Sequence, residues 1–121
     1  MKQFFGDSRS IEKESISELD KDFVTRFKAL VGEKMKDPEL NVEDLGRDMG
    51  MSRVQLYRKL KSLTNYSPNE LLRQMRLKKA ASLLAASDMT IAEVAYEVGF
   101  SSPSYFTKCY KEQFGESLPI S

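Results

Sequence analysis

The sequence predicts an all-α fold, with two small helical lobes joined by one long helix. Apolar residues recur at helical rather than alternating spacing over most of the chain. Residues that cap or stop helices punctuate it at short intervals, and one stretch, Ser67 to Ala86, runs for about 20 residues without a breaker.

Composition sets the bounds. At 121 residues, 40% hydrophobic and 31% charged, the chain has the size and balance of one globular domain, or of two lobes sharing a core. The longest apolar runs, such as Leu83-Leu84-Ala85-Ala86, are far too short to span a bilayer, so no membrane contact is expected. Residues 1–19 lack the apolar core of a signal peptide and read as a polar tail or linker. The lone cysteine, Cys109, excludes an internal disulfide and fits a reducing, cytoplasmic setting. With no histidine and no cysteine pair, neither a metal nor a cofactor is expected. There is also no phosphate-binding glycine loop and no Gly-x-Ser-x-Gly elbow, which argues against an enzyme. Glu93 and Glu97 read as an exposed pair on a helix face rather than as an acid and base.

The elements follow in order. From Asp20, the residues Phe23, Val24, Phe27, Leu30, Val31 and Met35 keep helical spacing until Asp37-Pro38 ends the run. Asn41 caps a short helix carrying Val42, Leu45 and Met49, and Gly50 stops it. A second amphipathic helix starts at Ser52 and reaches about Leu63, with Asn65 suited to a left-handed C-terminal cap. Ser67-Pro68-Asn69-Glu70 then combines an N-cap, a proline in the first turn and the glutamate of a capping box. The helix it opens is ~30 Å long at 1.5 Å per residue. Thr90 caps another short helix, with Ile91, Val94, Ala95 and Val98, ended by Gly99. The last clear helix runs from about Ser102 to Phe114 and stops at Gly115. Phe100, Phe106, Tyr110 and Phe114 read as core aromatics, with Cys109 beside them.

The chain repeats itself. Asn41, Val42, Leu45, Gly46, Met49 and Gly50 match Thr90, Ile91, Val94, Ala95, Val98 and Gly99 at one offset. Leu56, Arg58, Leu60 and Lys61 match Phe106, Lys108, Tyr110 and Lys111 at an offset one residue larger, so the second turn carries one extra residue. Each half is a cap, a short apolar helix, a glycine turn and an amphipathic helix. The architecture is therefore two helix-turn-helix subdomains joined by a long central helix. Gly46 and Ala95 are both small, as expected where helices cross closely.

Turning about 100° per residue, Leu56, Leu60 and Leu63 form one stripe of the first amphipathic helix, while Val54, Arg58 and Lys61 lie opposite and Tyr57 flanks them. In the second copy Phe106 and Tyr110 form the stripe, and Ser104, Lys108 and Lys111 occupy the same outward slots. One small residue and two cations on an exposed helix suit the major groove of double-stranded DNA. Arg58 can offer two parallel N–H bonds to guanine, and Val54 can pack on a thymine methyl. Gln55 and Tyr57 lie within reach of base edges or phosphate. Ser52, Arg53 and Ser102, at helix N-termini, suit phosphate, as do Lys61 and Lys111 if they are more than solvated lysines. The rod-like middle helix suits two probes one duplex turn, about 34 Å, apart. Charge is placed unevenly to match. Residues 52–79 hold eight cations against Glu70 alone, while residues 85–121 hold two lysines against five carboxylates, within a net charge of +1.

These residues resemble the DNA-binding domain of AraC/XylS-type transcription regulators. The resemblance covers about residues 20 to 118. It rests on Gly50-Met51-Ser52-Arg53, Leu56-Tyr57-Arg58-Lys59, Ser67-Pro68 and Arg76-Leu77-Lys78-Lys79-Ala80, and above all on Ile91 to Phe100 with Ser104-Tyr105-Phe106 and Phe114-Gly115. It implies a seven-helix, two-lobed fold, with lobe 1 at about 20–66, the linker helix at 68–86 and lobe 2 at 89–118. It places base contacts on Val54, Gln55, Tyr57 and Arg58, and on Pro103, Ser104, Thr107 and Lys108. The style is most similar to C-terminal output domains of hybrid two-component regulators. That likeness implies oligomerisation through other regions and contact with RNA polymerase. After Gly115 the likeness thins, because Ser117-Leu118-Pro119-Ile120-Ser121 replaces the Ser-Pro and aromatic-basic continuation of the family. Nothing in the sequence reads as an effector-binding barrel or a receiver domain. The alternative reading is a helical protein-interaction module, which the acidic second half favours.

Overall fold

The computed structural model describes the backbone of residues 8–115 and side chains from Glu18 onward. Among these residues it contains six α-helices and no strand: α1 (Ser8–Lys34), α2 (Val42–Asp48), α3 (Arg53–Thr64), α4 (Pro68–Ala86), α5 (Ile91–Glu97) and α6 (Pro103–Phe114). The seventh helix implied by the resemblance falls beyond Gly115, outside the described residues. Helix α1 begins at Ser8, well ahead of the start expected at Asp20. Polarity in this segment is no bar to helix, since Glu12, Lys13 and Glu14 are good helix formers.

The start signals act as their chemistry requires. Ser52, Ser67 and Thr90 each accept the backbone N–H of the third residue onward, and Gln55, Glu70 and Glu93 reach back to the cap N–H, closing three capping boxes. Asn41 and Ser102 cap α2 and α6 by the side-chain oxygen alone. Asn65 takes up the left-handed conformation, φ 71°, after α3.

Both glycine turns are the same motif. Gly50 and Gly99 have φ of 73° and 99°. Their N–H groups donate to Arg47 and Tyr96, while Met51 and Phe100 donate back to the carbonyls of Gly46 and Ala95 at 2.8 and 2.9 Å. This is the Schellman arrangement that satisfies the last carbonyls of a helix. It also explains the small residues. A Cβ on Gly46 would sit 2.8 Å from the Met51 carbonyl oxygen, so the close approach is to the turn backbone rather than to a crossing helix. The extra residue of the second turn is Ser101, which lies between Phe100 and the cap Ser102.

Two hydrophobic cores result. Phe23, Phe27, Val31, Leu45, Leu56, Leu60, Leu71 and Leu72 anchor the first, and Leu77, Ala80, Val94, Val98, Phe106 and Tyr110 anchor the second. Helix α4 belongs to both and packs on α1, α3, α5 and α6. Its leading half sends Leu71, Leu72 and Met75 into the first core, and its trailing half sends Leu77, Ala80 and Leu84 into the second. At about 100° per residue these two sets lie on nearly opposite sides of the helix.

Three outcomes are expected in thermal and chemical denaturation. Ser67→Ala lowers stability by about 1 kcal/mol through loss of the α4 cap. The Glu70 carboxyl is held below its ordinary value, chiefly by the Ser67 backbone N–H and then by its hydroxyl. Its contribution is therefore present above the ordinary carboxylate range and lost as pH falls through the lowered value. Glu70→Gln should flatten that acid limb. Gly99→Ala should destabilise more than Gly50→Ala, since both positions need positive φ but only Gly99 faces a neighbouring carbonyl, that of Met35.

Candidate nucleic-acid interface

The outward faces of α3 and α6 are exposed in the slots the helical angles assign. On α3, Leu56 and Leu60 are fully buried, whereas Val54, Gln55, Tyr57, Arg58 and Lys61 are exposed. Val54 is 57% and Tyr57 47% exposed, so an apolar and an aromatic side chain lie on the outer face beside the cations. On α6, Phe106, Cys109 and Tyr110 are buried beneath exposed Ser104, Thr107, Lys108 and Lys111. The buried stripe and the outward slots thus recur in both copies.

Several of these side chains are partly committed. The Gln55 side-chain carbonyl accepts the Ser52 N–H at 2.9 Å, which leaves its amide NH2 for other contacts. The Ser52 and Ser102 hydroxyl oxygens accept the N–H groups of Gln55 and Tyr105, each at 3.2 Å. Thr107 donates its hydroxyl to the Pro103 carbonyl at 2.9 Å, so its methyl and its oxygen lone pairs remain available. Pro103 is half-buried at the first turn of α6, and Arg53 is exposed at the first turn of α3.

The basic stretch is thinner than its composition suggests. The Lys59 ammonium sits 4.8 Å above the centre of the Phe23 ring, tying α3 to α1. Arg76 turns inward and donates to two backbone carbonyls of the turn after α1. Arg53, Arg58, Lys61, Arg73, Lys78 and Lys79 stay exposed. The acidic second half is likewise modified. Glu93 closes the α5 capping box, and Glu97 pairs with Lys36 at 3.2 Å, so these two are not the simple solvated pair expected. Neither internal cation was singled out by its sequence position. Only the folded chain reveals that Arg76 faces a helix end.

The aromatics form a ladder under α6. Phe100 meets Phe106 at 5.2 Å between centroids, Phe106 meets Tyr110 at 6.0 Å, and Tyr110 meets Phe114 at 4.6 Å. They serve packing, with Phe114 partly exposed at the open end. Among the described residues, no helix is long and apolar enough to cross a membrane.

Two exposed amphipathic helices, each presented by a Schellman turn from a shorter one, define the class as a tandem helix-turn-helix protein. A family model described as "Helix-turn-helix domain" matches residues 45–118. The chain belongs to the AraC-type helix-turn-helix family. It is 36% identical over 103 residues to Histidine kinase P4 of Formosa agariphila, covering 85% of this chain and 8% of that protein. Among solved structures, an AraC-type transcriptional regulator from Chromobacterium violaceum gives a TM-score of 0.74 at 27% identity, over 80% of this chain and 86% of the other. The DNA-binding domain of AdpA, solved in complex with a target DNA, gives 0.71 at 32%, over 77% and 83%. The C-terminal domain of AraT, a response regulator from Geobacillus stearothermophilus, gives 0.73 at 29%, over 78% of each. The chain spans less than a third of the length of the curated relatives it matches.

If the outward side chains carry function rather than stability, their removal leaves the fold intact. Arg58→Ala and Lys108→Ala should each change the unfolding free energy by no more than about 0.5 kcal/mol. Leu56→Ala should cost about 2–5 kcal/mol. Urea titrations of the three variants check this.

Proposed function

We propose that this chain binds double-stranded DNA sequence-specifically, as the output domain of a larger transcription regulator of the two-component type. Helices α3 and α6 enter successive major grooves. Val54, Gln55, Tyr57 and Arg58 read one segment, and Pro103, Ser104, Thr107 and Lys108 read the next. Ser52, Arg53, Lys61, Ser102 and Lys111 hold the phosphates and set the register. The functional unit runs from about residue 20 onward, and signal reception, oligomerisation and contact with RNA polymerase belong to other parts of such a regulator.

The observation that carries this reading is the duplicated outward face. In both helices a small residue (Val54 or Ser104) and two cations are exposed above a buried stripe, and on α3 an aromatic Tyr57 is exposed with them. The likeness to AdpA, whose domain was solved on its target, supports the same use of the fold. A role in the cytoplasm, without catalysis, fits a chain that lacks histidine and metal-ligand spacing.

Selection from random duplexes should return a site spanning two adjacent major-groove segments. Binding to that site should weaken steeply and log-linearly with salt, because Lys and Arg displace counterions from phosphates. A helical contact with a protein partner would show no such slope, and that result would favour the interaction-module reading. Arg58→Ala should cost roughly 1–3 kcal/mol on the selected duplex at fixed salt. Lys108→Ala should cost less, because the first lobe and α4 carry most of the positive charge. Equal or reversed losses would refute that ranking.

A further inference from the structure

Each lobe packs on a different half and a different side of α4. A further set of contacts between the lobes lies outside the cores, at the turn that follows α1. The Arg76 guanidinium, midway along α4, donates Nε–H to the Met35 carbonyl at 3.1 Å and Nη2–H to the Asp37 carbonyl at 2.8 Å. Those two lobe 1 carbonyls lie just past the end of α1, where the helix dipole favours a cation, and the Asp37 carbonyl also accepts the Leu40 N–H at 3.1 Å. Lobe 2 comes up against the same place. A side chain on Gly99 would overlap the Met35 carbonyl oxygen and come within 2.8 Å of the Arg76 Nε.

The ion pairs around this point mirror the internal repeat. Lys34, in the last turn of α1, bonds to Asp48 of α2 at 2.6 Å. Lys36, just beyond, reaches Glu97 of α5 at 3.2 Å. Asp48 and Glu97 occupy equivalent places, each two residues before the turn glycine. The end of α1 is thus held by the same acidic slot of both repeats, with Arg76 between them. Beside this seam the lobes do not close on one another. A groove of about 440 Å³ opens there, with Leu40 and Leu72 on one wall, Phe100 and Tyr105 on the other, and Arg73 and Arg76 along α4.

We propose that Arg76 is a positioning residue that locks the two recognition helices at one separation and rotation, and so decides how strictly the protein demands a fixed spacing between the two segments it reads. The spacing part rests on the DNA-binding reading above. A planar guanidinium suits the task, because its two donors are held in a rigid fork, whereas a lysine offers a point charge on a flexible stem. Arg76 lines the open groove and belongs to neither core, so its loss releases the seam without unfolding either lobe. Burial lowers the Arg76 pKa, opposed by Asp37, yet an arginine remains a cation.

The test uses Arg76→Met in the full chain, with two readouts. Backbone ¹⁵N relaxation should give one tumbling time for both lobes of the unaltered protein and two distinct times for the variant. On the selected duplex, one base pair inserted between the segments turns the second by ~34° and moves it ~3.4 Å. The unaltered protein should lose affinity on the order of tenfold or more on that insertion, as expected when one helix's base contacts are misaligned. The variant should lose less than about threefold, having already given up fixed geometry. A shared tumbling time in the variant, or undiminished discrimination against the insertion, overturns the proposal. So does a uniform loss on all duplexes with discrimination intact, which marks a merely structural role. If Arg76→Met does not fold, Arg76→Lys keeps the charge but loses the rigid fork, and carries the same two expectations. Relaxation needs no DNA, so a protein that bound no duplex would defeat the DNA reading while leaving the lock itself open to refutation.

Discussion

Helix α4 must serve two hydrophobic cores at once, and its nineteen residues have no single apolar face with which to do so. Leu71, Leu72 and Met75 point one way and Leu77, Ala80 and Leu84 nearly the other. Each lobe is too small to bury a sizeable core of its own, since surface dominates volume at this size. Sharing a helix lets each borrow about half of α4. Everything functional in the molecule is downstream of that division. It separates α3 from α6, exposes their outer faces, and puts residue 76 at the border where the apolar stripe changes sides. A polar side chain is tolerated there because it belongs to neither core.

The two repeats solve the same local problem with the same chemistry. A short helix has many unsatisfied carbonyls for its length, and the Schellman turns at Gly50 and Gly99 satisfy the last ones while redirecting the chain into α3 and α6. The caps at Ser52 and Ser102 then fix where α3 and α6 begin, and hence which residues face outward. A shift of one residue in either cap would rotate the exposed set by about 100° and bury a lysine. The repeats have also diverged. Gly50 faces open space, whereas Gly99 lies against Met35 and Arg76, so only the second turn doubles as an interface.

Much of this was legible from residue order alone. Caps, stops and the helical angles depend on neighbours within one turn or two, and Ser67, Thr90, Asn65, Leu56, Phe106, Val54 and Lys108 all sit where those local rules put them. The paired lobes follow from the repeat, and the family from the motifs around Ser52, Ser67, Arg76 and Ile91 to Phe100 that carry the resemblance. Less legible were features set by long-range contact. Arg76 looked like one more cation of a basic stretch, because nothing near it in the chain shows that the carbonyls of Met35 and Asp37 come to lie beside it. Lys59 over Phe23 and Glu97 against Lys36 were hidden for the same reason. The leading part of α1 is hidden for a different reason. Its polar residues carry no apolar periodicity, although helix needs only suitable residues and a nucleus to extend.

The turn from Met35 to Pro38 looks like an ordinary surface connection, the sort of place where chain length drifts most readily. Its atoms say otherwise. Two of its carbonyls and one of its lysines engage the middle of α4 and the tip of α5, and Lys34 immediately ahead engages α2. Adding or deleting a single amino acid there would throw these attachments out of phase together. The linker carrying Ser101, by contrast, already holds a residue that its counterpart before Ser52 does without. Of the two kinds of bend in this molecule, the one with the plainer sequence is the less free to change its length.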